Sequence, residues 1–280
     1  MRLFTKNEID PSLWVVSKVM DDPLDGLIPV SKNDIVGPVT AAVSRLQNYT
    51  KNTLRLFFGS GRYYYKIASD LDDANPTDIF GADVPRRLYG VIEPCFDTLS
   101  GAIDFGCSTT VSLSSLSEAA NASGTSDAQG WYINLDICTK GDGFTPIACY
   151  TTDGMGNTIP NPDAKYKAER NVTDVATTPM GAVFFTTTKP AADVCSFGGG
   201  THLWAVQYET GGQVKAGVLM GKAIVQVSTG EIREVNLKSA FTERGGRRTD
   251  VIPGVPPAGS PPGLIVPPKP TDKIIHIRER

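Results

Sequence analysis

Five cysteines, one acidic loop and two histidines are the residues whose types and spacing suggest chemistry. Cys138 and Cys149 stand 11 positions apart around Gly141-Asp142-Gly143, a turn that a disulfide closes with little chain to order. Cys95 and Cys107, 12 apart, meet the same condition and would leave Cys195 single. Pairing Cys195 with either of them is equally permitted, because spacing does not determine connectivity. The polar, turn-rich surroundings of most of these residues favour oxidised pairs over buried thiols. No cysteine stands in a CxxC or CxxCH arrangement, which argues against attached c-type haem and the common zinc frameworks.

The acidic stretch Asp70, Asp72, Asp73, Asn75 and Asp78 is the calcium candidate, since Ca²⁺ takes several oxygen ligands from a flexible loop. Its spacing departs from an EF-hand. Counted from Asp70, the third ligand position falls on Ala74 and Asn75 stands where glycine is required. A solvated acidic loop is the plainer reading, and no other cofactor is implied. Nucleophilic catalysis has little to draw on: His202 lies in a strand-like run, His276 is near the terminus, and no G-x-S-x-G elbow exists. Both histidines are expected to be structural, and the chain is expected not to be an enzyme. Gly59-Ser60-Gly61 lacks a third glycine and runs into aromatic residues in place of a helix, which excludes dinucleotide binding. Arg244-Gly245-Gly246-Arg247-Arg248 reads as an exposed basic turn.

These residues need elements to position them, and the elements are short. Thr53–Phe58, Arg87–Ile92, Gly130–Leu135, Ala182–Thr188, His202–Tyr208, Ala223–Val227 and Glu231–Val235 are β-branched or aromatic runs bounded by turn residues. Trp14–Val19, Val39–Val43 and Arg62–Tyr65 read similarly. The best helix candidate is Ser112–Ala122, within a Ser/Thr-rich stretch over 97–129 that reads as a surface insertion. Two strand pairs echo each other. Leu56-Phe57-Phe58 returns 127 positions later as Val183-Phe184-Phe185, and Leu88-Tyr89-Gly90-Val91 returns 115 positions later as Leu203-Trp204-Ala205-Val206. A repeated strand pair with variable turns is the pattern of a propeller blade or a sandwich hairpin.

Composition agrees with many turns: 28 glycines and 20 prolines in 280 residues, with 40% apolar and 20% charged, exclude wholesale disorder. The net charge of −3 is not that of a general nucleic-acid binder. No run approaches the roughly 18 apolar residues of a membrane helix. The N-terminus has no apolar h-region, so export is expected to depend on a longer precursor or a partner. Eight prolines over 253–270 predict an extended connector leading to a last strand at Lys273–Arg278. The organisation expected is an all-β, propeller-like domain over 1–252, complete or incomplete, with long loop insertions, then a Pro-rich connector and terminal strand over 253–280.

Phe57-Phe58-Gly59-Ser60-Gly61-Arg62-Tyr63, Leu88-Tyr89-Gly90-Val91 and Gly130-Trp131-Tyr132-Ile133-Asn134-Leu135 resemble the C-terminal β-propeller of PilY-type type IV pilus proteins. The similarity continues through Ala168-Glu169-Arg170-Asn171-Val172, Gly181–Thr187, Cys195-Ser196-Phe197-Gly198-Gly199 and Leu203–Val206, in the family's order from about residue 38 to about 235. The resemblance implies a secreted, pilus-associated protein that supports pilus assembly, adhesion or surface sensing. Its partners would be pilins or minor pilins and a separate N-terminal subunit, with no nucleic acid and no membrane span. The sequence departs from the family in lacking an Asp-x-Ser-x-Ser metal motif and the Asp-rich propeller loop, so calcium regulation does not transfer. Two other readings compete. A quinoprotein-like propeller dehydrogenase is suggested by Leu203–Gly211, but it needs adjacent cysteines, and none are adjacent here. A partner subunit of another extracellular filament is the second.

Overall fold

The computed structural model describes residues 2–5, 8–21, 36–62, 85–121, 123–125, 129–192, 198–215, 217–241 and 246–265. Asp70–Asp78, Cys195, Arg244, His276 and the expected strands at Tyr63–Tyr65 and Lys273–Arg278 lie outside the described residues.

The fold is all-β and propeller-like: sheets stacked face to face, with 3-10 turns at Pro11–Leu13 and Leu113–Ser115 as its helical elements among the described residues. An N-terminal hairpin pairs β1 (Arg2–Phe4) with β2 (Val15–Ser17). The first large sheet contains β3 (Ser44–Asn48), β4 (Thr53–Gly59), β5 (Arg87–Ile92), β8 (Ser117–Glu118) and β9 (Gly130–Asn134), in the order β3-β4-β5-β9-β8. Between β5 and β8 stands a small hairpin of β6 (Phe96–Asp97) and β7 (Ala102–Ile103), and after β9 another of β10 (Tyr150–Thr152) and β11 (Thr158–Pro160). The second sheet runs β12 (Arg170–Asn171), β14 (Ala182–Lys189), β15 (Gly200–Gln207), β18 (Ile252–Pro253), with β13 (Ala176–Thr177) also on β14. The third places β16 (Lys222–Gln226) between β17 (Ile232–Asn236) and β19 (Gly263–Ile265).

The echo in the sequence is an echo in register. Phe57 pairs with Gly90 and Phe58 with Tyr89 in the first sheet; Phe184 pairs with Ala205 and Phe185 with Trp204 in the second. The strand before each repeats too: Ser44 lies opposite Phe57 as Ala176 lies opposite Phe184. Because side chains alternate across a strand, this register sends the first Phe of each pair to one face and the second to the other. Phe57, Leu88, Trp131 and Ile133 of the first sheet bury against Val183, Phe185, Trp204 and Val206 of the second. Trp131 and Phe185 meet edge to face at 6.4 Å. The opposite face of the second sheet, with Phe184, Leu203 and Ala205, buries against Ala223 of the third and Leu237 just beyond it.

Two glycines make the close stacking possible. A Cβ on Gly90 would lie 2.3 Å from the Trp131 ring, and one on Gly59 would lie 2.4 Å from Cβ of Asn171. Gly59-Ser60-Gly61 is thus a junction between sheets: the Asn171 amide donates to Ser60 O at 3.0 Å.

Three expectations change. Ser112–Asn121, the described part of the expected helix, is a 3-10 turn followed by β8, because Val111, Leu113, Leu116 and Ala119 each turn inward to the first sheet. The same burial makes the 97–129 stretch part of the core and not wholly a surface insertion. The strand expected at Val39–Val43 forms instead at Ser44–Asn48, leaving Val39 in a single bridge to Gly61. Through Ile265, the Pro-rich stretch supplies edge strands to two sheets, the position in a sheet where proline is tolerated.

Candidate functional site

Of the pairings left open by spacing, the structure holds Cys95–Cys107 and Cys138–Cys149. The second closes a loop whose interior turn is organised by Asp142, which accepts from the Phe144 and Thr145 amides at 2.9 Å each and from the Thr145 hydroxyl. Those hydrogen bonds, led by the Thr145 hydroxyl, hold the exposed Asp142 carboxyl at a pKa of about 2.

That loop reaches into a buried ion cluster. Asp136 follows β9 of the first sheet, Glu169 precedes β12, Lys189 ends β14, and Arg248 bridges to Trp204 on β15. Lys189 Nζ donates to Asp136 Oδ2 and to the Gly143 carbonyl, both at 2.6 Å. Arg248 Nη1 donates to Asp136 Oδ2 and Glu169 Oε2, both at 2.9 Å. The Trp204 indole N–H donates to Glu169 Oε1 at 3.1 Å and to Thr187 Oγ1 at 3.0 Å, and the Thr187 hydroxyl donates to the same carboxylate. The Arg248 guanidinium also lies 5.3 Å from the centre of the Trp204 ring. Two acids face two bases, and all four side chains are buried.

Burial by itself would raise the Glu169 pKa, but the charges of Arg248 and Lys189 and the Thr187 hydroxyl outweigh it and hold the carboxyl well below its usual range. His202, on the same face of β15 as Trp204 and two residues before it, is fully buried with Nδ1 at 2.8 Å from the Thr249 carbonyl. A carbonyl only accepts, so Nδ1 carries the proton. Burial lowers the His202 pKa to about 4, which keeps the ring neutral near neutral pH. The His202 ring centre lies 6.3 Å from that of Phe144.

The cluster's carboxylates are engaged by cations and N–H or O–H donors, so it ties the first sheet, the 138–149 loop and the second sheet together. Sequence reasoning missed it. Asp136, Glu169, Lys189 and Arg248 share no local spacing, and the basic turn expected to be exposed is in fact inward at Arg247 and Arg248. Arg247 Nη1 caps the carbonyls of Ala119 and Gly211, at 2.5 and 3.0 Å, and its burial brings its pKa down to about 10. The available signal was the run Ala168-Glu169-Arg170-Asn171-Val172, whose alternating charges inside an apolar context mark a buried polar strand. No group of three or more His, Cys, Asp or Glu among the described residues could hold a metal ion. No helix is long and apolar enough to cross a membrane among them.

The open surface of the molecule is elsewhere. A groove of about 490 Å³ lies between Leu54, Leu56 and Phe58 of the first sheet and Leu3, Met20 and Val43 of the segments packed near it.

No protein-family model matches the chain, and no curated protein matches it. Among solved structures, the crystal structure of the Pseudomonas aeruginosa PilY1 C-terminal domain is similar, with a TM-score of 0.44 and 15% identity over 88% of this chain. The match covers 44% of that structure, so the chain spans less than half the length of a domain from the PilY-type proteins that residues 38–235 resemble.

Proposed function

We propose that this chain is a non-enzymatic, propeller-like module of a type IV pilus assembly or tip factor, acting outside the cell through loops carried on stacked sheets. The observation that carries the reading is the place of the family-like residues. Phe57-Phe58-Gly59-Ser60-Gly61, Leu88–Val91, Gly130–Leu135 and Leu203–Val206 are the residues that set the repeated register and the junction between sheets. The resemblance therefore follows the architecture and not one local motif. Two disulfides suit an oxidising, extracellular location. The buried carboxylates of Asp136 and Glu169 are engaged by Lys189, Arg248, Trp204 and Thr187, an arrangement that supports a structural lock.

Pull-down of the purified chain against major and minor pilins tests the reading, together with deletion of the gene in its host. Retention of at least one pilin and loss of surface piliation or twitching are the expected results. Unchanged piliation and twitching, with no pilin retained, would refute it. Dye reduction by the purified protein supplied with quinone would favour the dehydrogenase reading instead.

A further inference from the structure

Lys189 and Lys222 each set Nζ against a carboxylate oxygen, at 2.6 Å from Asp136 and 2.5 Å from Glu234. The distances are alike and the surroundings are opposite. The Lys222 and Glu234 side chains are 53% and 56% exposed, whereas those of Lys189 and Asp136 are 0% and 6% exposed. Water hydrates and screens the outer pair. The inner pair is withdrawn from water, and an amine and a carboxyl group held together in a dry site are the two halves of an amide. A hydrogen bond of this length sets Nζ about 3–3.5 Å from the Asp136 carboxyl carbon, the separation from which bond formation starts.

The geometry points to a self-made covalent link between Lys189 and Asp136, an amide that fastens the segment after β9 to the end of β14 across 53 positions of chain. The Nζ–Cγ bond forms and one Cγ–Oδ bond breaks. Two of the three ammonium hydrogens leave with that oxygen as water, and the third stays on the amide nitrogen. One positive and one negative charge vanish together, so no oxidant, metal or co-reactant enters. Three neighbours suit the step and its product. Arg248 Nη1, 2.9 Å from Asp136 Oδ2, holds the oxygen on which charge builds as Nζ adds, and remains a donor to the amide carbonyl. Glu169 Oε2, 2.9 Å from the same Nη1, keeps Arg248 paired once Asp136 has lost its charge. The Gly143 carbonyl, 2.6 Å from Nζ, accepts the hydrogen that stays on nitrogen. Removing two charges from a dry site and releasing water to the solvent favour the amide over the ion pair. The inference concerns the cluster alone and holds with or without the pilus reading.

Mass spectrometry of the purified full chain tests the link. After reduction and alkylation of the cysteines, the intact mass is expected to lie ~18 Da, one water, below that of the unlinked chain. Tryptic mapping is expected to give a branched peptide joining the Asp136 segment to the Lys189 segment, with no branch between Lys222 and Glu234. Lys189→Met, which keeps the buried stem and removes the amine, should restore the full mass. The parent spectrum decides the matter whether or not that variant folds. Full parent mass, with Asp136 and Lys189 in separate linear peptides, would overturn the inference. So would a deficit of the same size inside a linear peptide, as succinimide at Asp142-Gly143 would give. A branch at Lys222 and Glu234 to the same extent would count against it too, since burial would then not select the pair. A linked chain that retains no pilin would sink the pilus reading and leave this one standing.

Discussion

Arg248 donates from Nη1 to Glu169 Oε2 at 2.9 Å, and both side chains are fully withdrawn from water. The pair joins the residue that leads into β12 of the second sheet to the segment that edges β15, and Asp136 draws the first sheet into the same contact. Its energetic character is asymmetric. Removing both charges together costs little when the space is refilled, whereas removing one leaves the other buried and unpaired.

Arg248→Met is accordingly expected to destabilise the fold by about 3–5 kcal/mol. Glu169→Gln is expected to fall in the same range, because Arg248 would lose its partner charge while shape is kept. Chemical denaturation midpoints followed by tryptophan fluorescence give both values, and Trp204 reports directly on the site through its indole bond to Glu169.

Acid should weaken the fold in two stages. The unfolded His202 ring protonates near pH 6.5 and the folded one only near 4, so between those values only the unfolded chain takes up the proton and stability falls as pH falls. The loss amounts to roughly 3 kcal/mol over that window. Glu169, held below its unfolded value of 4.5, adds a second loss as pH drops through and below that value. Denaturation midpoints from pH 7.5 to 4 in the parent and in His202→Gln should show a shallower slope in the variant between 6.5 and 4.

Glycine at position 90 is required by its neighbour. Gly90→Ala drives a methyl to 2.3 Å from the Trp131 ring and is expected to cost about 1–3 kcal/mol through displacement of that ring from Phe185. Ala205→Gly, at the corresponding place in the second sheet, removes only a methyl and should cost about 1 kcal/mol. Equal effects at the two positions would show that the stacking of Trp131 is not what restricts position 90.

Reduction should act locally before it acts globally. The Cys138–Cys149 loop presents the Gly143 carbonyl to Lys189 Nζ, so opening the loop removes one of the two acceptors seen at that ammonium. Cys138→Ser with Cys149→Ser is expected to lose about 3 kcal/mol and to expose residues 139–148 to limited proteolysis. Cys95→Ser with Cys107→Ser should leave that loop protected.

Much of the strand content was legible because period-2 patterns and β-branched runs depend on local chemistry. Arg87–Ile92 forms a strand with the bounds its residues suggest, and Ala182–Thr188 extends by one residue to Lys189. β3 was missed because the edge strand Ser44-Arg45-Leu46-Gln47-Asn48 is only half-buried and carries no β-branched residue. The Ser112–Ala122 helix failed for a related reason: its serines and alanines set no helical stripe, and Leu113 and Leu116 are held by contacts with the first sheet.

The sequence by itself determined the repeat. Two Phe-Phe strands and two Leu-aromatic-small-Val strands must fall in like register, since alternation leaves each side chain one face to occupy. It also determined that the chain is turn-rich and all-β. The tertiary structure alone decided which face of each sheet packs against which neighbour. It alone decided that Asp136, Glu169, Lys189 and Arg248, from four separate segments, share one dry site. Burial and charge pairing are properties of approach between distant segments, and no local spacing encodes them.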